Sequence, residues 1–159
     1  MLKKNKTKTE YLQSIENKNE FVKRLSNNIT FNLKYFQSGD GVGQSFKDWE
    51  QDQILADLNE KLKVFSEKKK LELIQERTLE IFRNYPKDSL FTRPKALQNV
   101  DIKWARLRLA GARRVIGFFI SEEVINASES DESKALKDIF YIVFLDKNHE
   151  FAPYAKKGT

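Results

Sequence analysis

The strongest constraint on this chain is a set of three strand-like runs in its C-terminal half. KWARLRLA (103–110) alternates between two sides of an extended chain. Ala105, Leu107 and Leu109 share one side, and Trp104, Arg106 and Arg108 share the other. RRVIGFFI and FYIVFLD are apolar at successive positions, which is typical of strands covered on both faces. We expect strands near 103–110, 113–120 and 139–146, paired as consecutive antiparallel neighbours.

The preceding residues predict one short strand and two helices. Alternation in ITFNLKYF (29–36) indicates a strand with one solvated side. Ser45 and Asp48 have the spacing of a capping box, so a helix begins there and continues to about residue 65. A second amphipathic helix is expected to cover about 71–82.

The order of these elements predicts an α+β protein. Residues 1–28 are polar, but their apolar positions recur at helical spacing, so we expect an N-terminal helical extension there. Residues 29–159 are expected to form one domain, most simply an antiparallel sheet with a helical hairpin packed on it. The acidic segment 121–138 is expected to be a mobile loop of a hairpin.

Composition excludes several kinds of chemistry. The chain has no cysteine and only one histidine, which excludes disulfides and thiolate chemistry and leaves no metal or cofactor to expect. It lacks both an apolar run of about 18 residues and the apolar segment of a secretory signal, so we expect a cytoplasmic protein away from membranes. The net charge of +6 favours a polyanionic partner. The glycine-rich stretch GDGVGQS lacks the lysine of a phosphate-binding loop and is interpreted as a connector.

The basic residues cluster most clearly at Arg106, Arg108, Arg113 and Arg114. Guanidinium groups bind phosphate oxygens in a bidentate manner, and an aromatic ring beside them offers a stacking surface for a base. We therefore predict a nucleic-acid-binding surface made of Trp104, Arg106, Arg108 and Arg113, for which the resemblance described below implies RNA. The alternative is a solvated sheet face whose arginines balance the acidic segment.

The chain's one histidine, His149, follows the last apolar run in FYIVFLDKNHEFAPY (140–154). Lys147 has the same parity, so both side chains are expected on one side of the extended chain. Histidine can take or give a proton near neutral pH, and Tyr154 adds a phenol or a stacking ring. Taken alone, a histidine at a strand end is more often structural than catalytic. The case for a site depends on its proximity to the arginines of neighbouring strands.

The C-terminal runs RLRLAGARRVIGFFI and FYIVFLDKNHEFAPY resemble the RelE/ParE superfamily of bacterial toxin–antitoxin toxins. That family has a strand of alternating basic and apolar residues, a tight turn, a strand that begins with arginine, and a last apolar strand. A short tail of basic, histidine and tyrosine residues follows. The resemblance covers about 29–154 in the order of elements, but only 103–120 and 139–154 in sequence detail.

The resemblance implies a RelE-like fold and, for the RelE branch, metal-independent and ribosome-dependent cleavage of mRNA. It assigns catalytic roles to His149, Lys147, Tyr154 and Arg114. The implied partners are RNA or the ribosome and a cognate antitoxin protein, and a homo-oligomer is compatible with it. The alternative is a non-catalytic module of the same fold that binds nucleic acid or protein, such as a gyrase inhibitor of the ParE branch or a phage accessory protein.

Overall fold

Five strands and six α-helices make up the described part of the chain. The computed structural model describes residues 2–25, 27–40, 42–128 and 130–153. The helices are α1 (Leu2–Leu25), α2 (Phe46–Gln51), α3 (Leu55–Ser66), α4 (Lys70–Gln75), α5 (Glu122–Ser128) and α6 (Asp131–Lys134). The strands are β1 (Thr30–Asn32), β2 (Leu79–Ile81), β3 (Ile102–Arg108), β4 (Arg114–Ile120) and β5 (Ile139–Asp146). They form one sheet in the order β1-β5-β4-β3-β2, so the protein is α+β.

The three C-terminal strands pair as the sequence predicts. β3 is antiparallel to β4, and β4 is antiparallel to β5. The β4–β5 pairing shifts register at Gly117. A Cβ added at Gly117 would collide with the carbonyl oxygen of Tyr141, so this irregularity requires glycine.

Both faces of the central strands are buried, as their unbroken apolar sequences predict. The first face packs against the α2–α4 region through buried residues such as Trp49, Leu58 and Leu73. The second face is covered by the loop between β2 and β3 and by the segment after β5, which contribute Phe91 and Phe151. The sheet therefore has two cores, one on each side.

The expectation of a wholly antiparallel sheet is wrong, because β1 lies parallel to β5, with Phe31 opposite Phe140. A parallel pair needs a long crossover connection, and the helices and strands between β1 and β5 supply one. The predicted strand over 29–36 is also too long. A turn closed by a hydrogen bond from Phe36 N–H to Leu33 O follows β1 directly.

The second predicted helix ends earlier than its periodicity indicates. α4 stops at Gln75, and Arg77 adopts a left-handed φ of 61° that reverses the chain into β2. β2 then pairs antiparallel with β3. Residues 79–82 therefore form a strand and its end, because pairing with β3 outweighs the helical spacing of the apolar residues.

The first predicted helix begins correctly but is divided in two. Ser45 Oγ accepts from Asp48 N–H at 3.1 Å, and the Asp48 carboxylate accepts from Ser45 N–H at 2.8 Å, which confirms the capping box. α2 ends at Gln51, and Gln53 has a φ of 61° before α3 begins. The change of direction lets Trp49 and Leu58 both enter the first core.

The segment 121–138 connects the antiparallel strands β4 and β5 as expected, but it is largely helical, so the prediction of a loop there is wrong. It contains α5 and α6, and Ile125 of α5 is buried. Ser130 caps α6 by accepting from Ser133 N–H.

The predicted N-terminal helix is confirmed as α1, and its residues from Thr7 to Leu25 are exposed throughout. None of the helices in the described ranges combines the length and apolarity needed to cross a membrane.

Candidate functional site

Arg106 and His149, which lie far apart in sequence, meet on the second face of the sheet. Arg106 Nη1 lies 3.1 Å from His149 Nε2. A guanidinium group can only donate, so Nε2 accepts and the imidazole is neutral, with its proton on Nδ1. Burial and then the charges of Arg106 and Arg114 lower the pKa of His149. The imidazole is therefore held in the form that can accept a proton.

Glu80 extends this pair into a row of three contacting groups, which we call the Glu80–Arg106–His149 row. Glu80 lies directly opposite Arg106 in the β2–β3 register. Arg106 Nε donates to Glu80 Oε2 at 2.7 Å, and Nη2 lies 2.6 Å from the same oxygen. The Arg106 side chain is 17% exposed and that of Glu80 53%, so the row is open to solvent mainly at Glu80.

A tight turn after β5 positions His149 beside Arg106. Asp146 is 1% exposed, and its two carboxylate oxygens accept from Glu150 N–H and Phe151 N–H, each at 2.9 Å. His149 adopts a left-handed φ of 60°, which is uncommon for a residue other than glycine. Phe151 is fully buried in the second core and anchors the far side of the turn.

Trp104 does not provide the predicted stacking surface. It is 3% exposed, and its ring contacts Tyr85, Phe118, Phe144 and Phe151. Its indole Nε1 has no hydrogen-bond partner among the residues that the structure describes. The prediction is wrong because the loop between β2 and β3 covers this face of β3.

Lys147 lies apart from His149 instead of on the same side. Its Nζ contacts the carboxylate of Asp52, next to α2, at 2.6 Å. β5 ends at Asp146, so the two-residue parity of an extended strand no longer applies beyond it. The turn sends Lys147 toward the helices of the first face and His149 toward the second core.

Arg113 and Arg114 also lie outside the row. Arg114 is 4% exposed, and its Nη1 donates to the carbonyl oxygens of Gly111 and Arg113, both at 2.8 Å. Arg113 lies 3.7 Å from the Asp57 carboxylate of α3. Arg114 therefore supports the β3–β4 turn, and its charge lowers the pKa of His149.

Arg108 is the predicted phosphate-binding residue that stays exposed next to the row. It lies two residues beyond Arg106 on the same side of β3. Arg108 and Glu80 both line a cavity of about 440 Å³ at the β2 edge. Tyr154 lies outside the described residues.

Sequence reasoning missed Glu80 and Asp146. Glu80 was hidden inside an expected helix, although a strand pairing with β3 would have placed it opposite Arg106. Asp146 did carry a signal, because an aspartate at the end of an apolar strand often binds backbone N–H groups of the following turn. Within the described ranges, no group of three or more histidine, aspartate and glutamate residues could hold a metal ion.

Fold and site together define an α+β protein whose mixed five-stranded sheet carries a carboxylate–guanidinium–imidazole row near one edge. Searches of protein-family models, of curated proteins and of solved structures found no match to the chain. The relationship to the RelE/ParE superfamily therefore stays a prediction from the sequence.

Proposed function

We propose that the protein is a RelE-like toxin that cleaves RNA without a metal ion, with mRNA on the ribosome as its substrate. The Glu80–Arg106–His149 row carries this proposal, because it combines a carboxylate, a fixed cation and a neutral imidazole in direct contact. The order of elements adds support: β1 is followed by helices, and the antiparallel run β3-β4-β5 comes last. The same proposal implies a cytoplasmic location and a cognate antitoxin.

Metal-independent RNA cleavage needs a proton acceptor and a cation at the phosphate. An incoming phosphate would draw Arg106 away from His149 Nε2, because guanidinium binds phosphate oxygens strongly. Nε2 would then accept the proton of the 2′-hydroxyl while the 2′ oxygen attacks phosphorus and the bond from phosphorus to the 5′ oxygen breaks. Water would protonate the 5′ oxygen, and the imidazolium would neutralise the remaining hydroxide. The products are a 2′,3′-cyclic phosphate and a 5′-hydroxyl end.

Arg106 and Glu80 have separate parts in this reaction. Arg106 would stabilise the negative charge that builds up on the non-bridging phosphoryl oxygens. Glu80 would act as a positioning residue, because its carboxylate holds Nε and Nη2 and leaves Nη1 directed at the imidazole. Arg108, which is exposed beside the row, would bind a neighbouring phosphate.

One observation favours a second candidate function, a non-catalytic RNA- or protein-binding module. His149 is only 6% exposed, and it links the segment after β5 to β3 through Arg106. A histidine in such a position can serve solely to hold the turn in place. Arg106 and Arg108 of β3 would then bind the partner without cleaving it.

The test is induction of the protein in a bacterial host, with growth and the ends of ribosome-associated transcripts followed together. We expect growth arrest and new 5′-hydroxyl ends for the wild type, and a loss of cleavage of about 10²–10⁴-fold for His149→Ala. Glu76→Gln is the matched control, because its carboxylate pairs with Lys68 away from the row. Arrest with intact transcripts would refute the nuclease and leave the binding module, whereas full cleavage by His149→Ala would refute the catalytic role of His149.

A further inference from the structure

The outer edge of β2 is an open strand edge. β2 is the last strand of the sheet, and no strand in the described part of the chain pairs with its outer side. Thr78 O accepts from Arg108 N–H, and Phe82 N–H donates to Trp104 O, so these groups face β3. Backbone groups alternate along an antiparallel strand, so the N–H and C=O groups of Leu79 and Ile81 point outward. Such groups can pair with an added strand.

Exposed apolar side chains lie directly beside this edge. Leu71, Ile74 and Ile81 are 63%, 38% and 36% exposed. Ile74 and Ile81 line two neighbouring cavities of about 570 and 440 Å³. We call these two cavities together the groove. An added strand would direct alternate side chains into the groove, where apolar residues would bury surface area against Ile74 and Ile81.

The charges around the groove favour an acidic ligand. Its cations are Lys69, Lys70 and Lys137 in the larger cavity and Arg77 and Arg108 in the smaller one. Two carboxylates, Glu122 and Asp138, line the larger cavity. The smaller cavity contains the carboxylate of Glu80, which is already bound by Arg106. Burial lowers the pKa of Lys70, and a further carboxylate nearby would favour its charged form.

A second copy of the chain fits this edge poorly. A two-fold pairing of β2 strands that joins Leu79 to Ile81 of the other copy would place the two Glu80 carboxylates opposite each other. It would also bring the basic flanks of both copies together. RNA fits no better, because the groove offers apolar side chains and a strand edge in place of a stacking surface.

We propose that the β2 edge binds an extended peptide that adds a strand to the sheet, with apolar residues at alternate positions and acidic residues between them. The backbone of β2 would supply the main-chain hydrogen bonds, and the groove of Ile74 and Ile81 would select the side chains. The lysines and arginines around the groove would pair with the acidic residues. This site is centred on Ile74 and Ile81, which have no part in the RNA cleavage proposed above, and Arg108 and Glu80 border both sites.

The test uses a displayed library of eight-residue peptides that alternate Asp or Glu with Val, Ile or Leu, and a matched library with lysine at the acidic positions. We expect the acidic library to yield binders to the wild-type protein and the lysine library to yield none. The binders should lose at least about tenfold in affinity for Ile81→Pro, because proline removes one outward N–H. β3 pairing survives this change, since proline is tolerated where the N–H faces solvent.

Two further variants keep the result interpretable. Ile74→Glu, at an exposed helical position, should weaken the same binders by charge repulsion and leave the fold intact. Leu90→Glu is the matched control, because this equally apolar residue is 64% exposed and lies outside both cavities. Failure to enrich acidic binders, equal binding to Ile81→Pro, or a dimer that Ile81→Pro dissociates would overturn the proposal. Retained RNA cleavage by Ile74→Glu would separate this site from the nuclease.

Discussion

Replacement of Asp146 by asparagine tests whether its carboxylate holds the turn that carries His149. Each oxygen of Asp146 accepts one buried or half-buried backbone N–H, from Glu150 and from Phe151. Asparagine retains one acceptor oxygen but presents an NH₂ group to the other N–H, so one donor loses its partner. A hydrogen bond to a charged acceptor contributes about 1.5–3 kcal/mol, and a buried unsatisfied donor costs about 1–3 kcal/mol. We expect Asp146→Asn to lower the free energy of unfolding by about 3 kcal/mol.

The measurement is urea unfolding of Asp146→Asn beside the wild type. Asp52→Asn is the matched control, because it removes a carboxylate that is 43% exposed and paired with Lys147, where a loss of at most about 1 kcal/mol is expected. Within the surviving folded fraction, the His149 ring should lose its fixed position beside Arg106, visible as a change in its imidazole NMR shifts. A stability loss no larger than that of Asp52→Asn would show that the two hydrogen bonds do not hold the turn.

Three further outcomes follow from the same geometry. Burial lowers the pKa of His149 in the folded protein below 6.5, so its contribution to the free energy of unfolding should be present above about pH 6.5 and decline as the pH falls. Urea unfolding from pH 8 to 5 should therefore show a smaller decline in stability for His149→Asn than for the wild type. Asparagine is chosen because it tolerates the left-handed φ of this position. Arg108→Ala should reduce the salt dependence of RNA binding by about 0.7 log units per log unit of salt, whereas Arg113→Ala, which loses an ion pair to α3, should leave it unchanged. Gly117→Ala should destabilise the protein by about 3 kcal/mol in the same unfolding assay, since the added methyl meets a backbone carbonyl, and full stability would disprove the close approach.

The sequence predicted the centre of the sheet because its signal is local and strong. β3, β4 and β5 are long runs of β-branched, aromatic and leucine residues, and short reversals favour antiparallel pairing. The edge strands were predicted poorly. β1 and β2 are three residues each, so their pairing partners, not their own periodicity, decide where they begin and end.

The candidate site was predicted only in part, because only part of it depends on the strongly predicted strands. Arg106 and His149 were both singled out, and their contact depends on β3 and β5, whose positions were predicted correctly. Trp104 and Lys147 were misplaced because their surroundings come from a loop and a turn that periodicity does not describe. Glu80 was missed because β2 was expected to be helical.

The position of β5 in the sheet affects how the protein folds during its synthesis. β5 is made after the other four strands, yet it lies between β1 and β4 in the sheet. Thr30 of β1 therefore cannot pair until its partner Ile139 has been synthesised. At ordinary synthesis rates of roughly 5–20 residues per second, this delay is about 5–20 s. The helices between β1 and β3 can form locally during that time. β3 and β4 are made near its end, and their apolar faces then lack the strand that completes both cores. We therefore expect the nascent chain to expose apolar strand faces, and so to be prone to aggregation, until β5 has emerged.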